Sequence, residues 1–82
     1  MNFNPQIGAS LTLHSNLGKS VGIIDDISEL HDTVSYTGWL TNDEGRFEII
    51  KTATQLAGSI HWSSRIIRIN SFTSSYITKV EL

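Results

Sequence analysis

The sequence predicts an all-β domain, a small and strongly bent barrel of five to seven strands with at most one short helical turn. Three observations carry the prediction. Apolar and polar residues alternate with a period of two along most of the chain. Turn-forming residues interrupt that alternation at short intervals. No segment sustains the apolar spacing of an amphipathic helix.

Each element follows from its local pattern. Ala9, Leu11 and Leu13 alternate with Ser10, Thr12 and His14, as in a half-buried strand. Asn16-Leu17-Gly18 then supplies a turn. In the second strand Val21 and Ile23 alternate with Gly22, and Ile24 extends the run to Ile27. Gly22 within this pattern marks a bulge or a sharp bend. Residues 28–32 read as a polar connection able to form one helical turn.

In the third strand Val34, Tyr36, Gly38 and Leu40 share one face, and Thr33, Ser35, Thr37 and Trp39 the other. Asn42-Asp43-Glu44-Gly45 is the clearest turn, with Gly45 suited to the left-handed position that closes a hairpin. The return strand runs over residues 46–51 with Phe47 and Ile49 inward. Residues 52–58 offer a second place for a helical turn, ended by Gly58. Residues 59–62 and 65–69 read as strands around Ser63-Ser64. Residues 70–75 read as a polar loop around Phe72. The last strand spans 76–82, with Tyr76, Thr78, Val80 and Leu82 on one side.

A first strand, a bent glycine-bearing second strand, a tight third-to-fourth hairpin and a helical turn before the fifth strand together resemble the layout of SH3- and Sm-type small barrels. The resemblance is one of layout, and the segment after Asn70 exceeds the basic barrel.

The 82 residues make one domain, 1–82, with a thin stability margin. No cysteine is present, which removes disulfides, thiolate metal sites and cysteine nucleophiles and suits a reducing cytoplasm. Oligomerisation is the reinforcement left to such a small chain. Met1-Asn2-Phe3-Asn4-Pro5 has neither the basic region nor the apolar core of a signal peptide. No apolar run approaches the roughly 18 residues of a membrane span. The expected setting is cytoplasmic, away from membranes. A net charge of −2 is too acidic for a duplex-DNA binder and too mild for a DNA mimic.

Three strands carry doubled isoleucines: Ile23-Ile24, Ile49-Ile50 and Ile66-Ile67. Neighbouring residues on a strand point to opposite faces, so each pair sends one member out of the barrel. The outer members are expected to be Ile24, Ile50 and either Ile66 or Ile67. Loops and terminal segments are one cover for them. The other is a subunit interface in a homo-oligomer, where each buried isoleucine contributes roughly 1.5–3 kcal/mol.

No catalytic or metal-binding signature emerges. His14, His31 and His61 lack the close spacing of metal ligands. Asp25-Asp26 would face opposite ways on a strand, which suits a turn better than acid–base chemistry. Phosphate-loop, dinucleotide and nucleophile-elbow patterns are absent. The chain therefore reads as a non-enzyme with no cofactor.

Recognition chemistry is richest over residues 61–68. There Trp62 could stack on a flat ring, Arg65 or Arg68 could grip a phosphate, and His61, Ser63 and Ser64 could add hydrogen bonds. Arg65 and Arg68 stand three apart, so one of them shares a face with Trp62. The alternative is a packing role for Trp62, with the arginines paired to Glu48 or Asp43. Trp39 falls among threonines with Arg46 across the hairpin, as an interface anchor or a stacking platform.

Two functions fit. One is a stoichiometric binder of a nucleotide, a cyclic nucleotide signal or single-stranded nucleic acid, in the style of a phage or bacterial accessory protein that inhibits or sequesters a host signal. The other is a protein-interaction or structural module: an adaptor, a virion component or a protein inhibitor of an enzyme.

Overall fold

The computed structural model describes residues 3–42, 44–74 and 79–82. Its strands are β1 (Ser10–Ser15), β2 (Gly18–Leu30), β3 (Thr33–Leu40), β4 (Arg46–Lys51), β5 (Leu56–Trp62), β6 (Arg65–Ser74) and β7 (Lys79–Glu81). Each pairs antiparallel with the next, and β1 also pairs with β6. The first six strands thus close into a barrel, and β7 lies outside it against β6. No helix occurs among the described residues, and none is long and apolar enough to cross a membrane.

The period-two pattern fills this barrel as expected. Leu11 and Leu13 of β1, Tyr36 and Leu40 of β3, Phe47 and Ile49 of β4, Ile60 of β5 and Ile69 and Phe72 of β6 form the core. The ring of Phe47 lies over two inward-facing glycines. A Cβ on either Gly22 or Gly38 would overlap that ring, and one on Gly38 would also strike the carbonyl oxygen of Ile23. Gly22 is therefore a space-maker for Phe47.

The bulge sits further along β2. Ile24 pairs with Gly38 and Asp26 with Thr37, leaving Asp25 as the extra residue. The bulge shifts the inward face: Ile24 and Ile27 both pack toward the core although they stand three apart.

Phe3, which no strand pattern marks, completes the core. Its ring packs 5.0 Å from Tyr36 and 4.8 Å from Phe72, centroid to centroid. The Lys51 ammonium donates to the Phe3 carbonyl at 2.7 Å and lies 5.8 Å from the centre of the Tyr36 ring. This cation ties the segment before β1 to the end of β4.

Several sequence expectations are corrected. Neither helical turn forms. β2 continues through Leu30, and His31-Asp32 makes the turn, with His31 at φ 57°. At residues 52–55 the Thr52 hydroxyl accepts from the Gln55 N–H at 3.1 Å, a side-chain turn that leads straight into β5. Gly58 lies within β5, paired with Ile49.

Residues 70–74 are not a loop. β6 runs through them because Phe72 must face Leu13 to close the barrel, and Phe72 is fully buried. The last strand is β7; the Tyr76 and Thr78 part of that expectation lies outside the described residues. Gly45 has no left-handed backbone. A Cβ there would come within 2.9 Å of the His61 carbonyl oxygen, so close approach explains the glycine.

Ile24 is also corrected: it is the inner member of its pair, fully buried, and Ile23 is the outer, half-buried one. Because Gly22 and Ile24 both face inward, the alternation of β2 ahead of the Asp25 bulge sits one residue from the expected phase, and the bulge restores that phase at Ile27. Ile50 and Ile66 do point outward, Ile66 with 73% of its surface exposed, while Ile67 packs against the core.

Candidate functional site

Directly opposed residues on neighbouring strands carry their side chains on the same face. Ile23 opposes Trp39, Trp39 opposes Arg46, Arg46 opposes His61, and His61 opposes Ile66. These five residues form one row across the outside of β2–β6. Trp39 is 45% exposed within it. A second row runs beside the first through Thr37, Glu48, Ser59 and Arg68.

Polar contacts hold parts of this surface in place. The Arg46 guanidinium donates to the Asp25 carboxylate at 2.7 Å, spanning β3. That hydrogen bond, together with the charge of Arg46, holds the Asp25 carboxyl below its ordinary range. Arg46 is shifted the other way, mainly by the same bond. Ser35 donates to Glu48 at 2.9 Å, and the Ser59 hydroxyl lies 3.0 Å from His61 Nε2.

Asp25 is the residue that sequence reasoning missed. It stands in a strand rather than a turn, and the bulge is what frees its side chain to reach Arg46.

The residues expected to bind a ligand divide into two groups. Trp39, Arg46, His61 and Arg68 lie on the outer face just described. Trp62 and Arg65 oppose each other at the end of the β5–β6 hairpin, on the other face of the strands. Ser63 and Ser64 form the two-residue turn between them, with Ser63 at φ 58°. Arg65 thus shares a face with Trp62 and Arg68 does not. The arginine–Glu48 pair is absent, since Glu48 is engaged by Ser35; a pair with Asp43 lies outside the described residues.

A shallow depression of about 150 Å³ on the outer face is lined by Glu48, Ile50, Ala57, Gly58 and Ser59. It is smaller than the roughly 300–1,000 Å³ of typical small-molecule sites. Among the described residues no group of three or more His, Asp or Glu is placed to hold a metal ion. Comparison with protein families, with characterised proteins and with solved structures finds nothing that this chain matches.

Proposed function

We propose that the protein is a non-catalytic binding module that engages another protein through the outer face of β3–β6. The observation that supports this reading is the row Ile23–Trp39–Arg46–His61–Ile66. It joins an exposed tryptophan, an arginine and an exposed isoleucine on a continuous strand surface. Tryptophan and arginine are the residue types that most often carry interface energy. Arg46 is already oriented by Asp25, so less side-chain freedom is lost on docking.

Cross-linking mass spectrometry in extract of the source cells tests the reading. Cross-links to partner proteins should map to the outer face of β3–β6 and disappear in a Trp39→Ala/Ile66→Ala variant with unchanged circular dichroism. Cross-links that persist in the variant reject it.

A second reading rests on a different observation. Trp62 and Arg65 stand side by side at the hairpin end, an arrangement that suits a flat ring carrying a phosphate. A nucleotide or a short single strand is the ligand class. Titrating nucleotides and oligonucleotides against the fluorescence of a Trp39→Phe variant, which leaves Trp62 as reporter, should give a saturable change. A flat titration removes this second reading.

A further inference from the structure

Charge is segregated along this chain. Residues 20–45 hold Asp25, Asp26, Glu29, Asp32, Asp43 and Glu44 and no lysine or arginine. Residues 51–80 hold Lys51, Arg65, Arg68 and Lys79 and no aspartate or glutamate. Three acidic residues of the first block, Asp26, Glu29 and Asp32, fall on the β2–β3 hairpin, and two basic residues of the second, Arg65 and Arg68, on the β5–β6 hairpin.

Asp26, Glu29 and Asp32 are exposed on the β2–β3 hairpin, and Arg65 and Arg68 on the β5–β6 hairpin. Among the described residues the ion pairs are Arg46–Asp25 and Lys79–Glu81, so none of these five charges is ion-paired with another described residue. Each hairpin also presents one of the most exposed large apolar residues, Leu30 at 70% and Ile66 at 73%.

From this complementarity we infer that the β2–β3 hairpin of one copy docks on the β5–β6 hairpin of a second copy. Leu30 lies against Ile66, with Asp32 toward Arg68 on the face of Ile66 and Glu29 toward Arg65 on the other face of the hairpin end. Every copy carries both halves, so a two-fold arrangement makes the contact twice and closes the assembly as a dimer. The opposite charges set the orientation, and like hairpins repel, which excludes the alternative pairing. This association does not rest on the proposed partner-binding function; it needs only the protein itself.

Sedimentation equilibrium on the full chain tests it. At about 20 mM salt the protein should approach twice its 9.1 kDa mass with rising concentration, and the dissociation constant should rise at least about fivefold at about 500 mM salt. Glu29→Lys/Asp32→Lys and Arg65→Glu/Arg68→Glu should each be folded and monomeric. An equimolar mixture of the two variants should recover the dimer mass, because each reversed hairpin then meets its opposite.

That recovery separates charge pairing from misfolding. A wild-type chain that stays monomeric up to about 0.5 mM at low salt overturns the inference, as does a mixture that stays monomeric. Either result leaves the cross-linking test of partner binding untouched.

Discussion

Gly38 and Phe47 are partners in the β3–β4 ladder, and the Phe47 ring fills the space that a side chain on Gly38 would need. The carbonyl of Ile23 closes the same space from the β2 side. One glycine thus lets an aromatic ring and a neighbouring backbone meet at the bulge that aims Asp25.

Gly38→Ala should therefore cost about 3 kcal/mol or more, because backbone has to move. The nearest atoms to a Cβ on Gly22 all belong to the Phe47 ring, so the double variant Gly22→Ala/Phe47→Leu should regain much of what Gly22→Ala loses. Adding Phe47→Leu to Gly38→Ala should recover far less, since the Ile23 carbonyl remains. Urea denaturation of the four variants measures the difference.

Phe3→Ala should destabilise the fold by about 3 kcal/mol, the usual scale for removing a buried phenylalanine. Phe3 is 3% exposed and contacts two other core rings. The midpoint of denaturation should fall, and amide exchange should quicken first in β3 and β6, where Tyr36 and Phe72 lose their partner.

The Asp25–Arg46 pair should be visible as a displaced titration. A carboxylate held down in the folded state contributes stability above its unfolded value, and that contribution disappears as pH falls through the folded value. Arg46→Ala should raise the Asp25 midpoint toward that of an ordinary aspartate, read from its carboxyl carbon by NMR. Both side chains are open to solvent, so the effect on overall stability should be small.

Ser63→Gly should stabilise the protein by about 0.5–1 kcal/mol. Ser63 carries a positive φ of 58° at the first position of a two-residue hairpin turn, where glycine meets no Cβ penalty. His31→Gly, at φ 57°, should behave alike. Thermal unfolding of both variants checks this, and a fall in melting temperature for either would argue against strain at that turn.

Much of the barrel was legible because alternation is a strong signal wherever one face is fully buried. The third strand and the 46–51 return strand follow their patterns residue by residue, with Tyr36, Leu40, Phe47 and Ile49 inward. The β2 phase was not legible. Val21, Ile23, Ile24 and Ile27 are all branched aliphatics, so hydrophobicity alone does not say which pair faces in. The answer depends on a ring contributed by β4. Phe3 was missed for a related reason, since it has no alternating neighbours and its place is set by Tyr36 and Phe72.

The candidate site was half legible. Trp39, Arg46, Trp62 and Arg65 stand where the spacing put them, but which tryptophan accompanies which arginine depends on strand register. The Ser63-Ser64 turn fixes that register by making Trp62 oppose Arg65. Asp25 needed the bulge, which no single residue type announces.

The seam between β1 and β6 joins Leu11 to Ser74, nearly the two extremes of the chain. Every other barrel pairing links consecutive strands and forms locally. Closing the seam carries the largest loop-closure entropy, so its contacts should form last, after the folding transition state. Once made, it is also the first pairing whose loss frees both ends, so substitutions at Leu13 or Phe72 should speed unfolding more than they slow refolding.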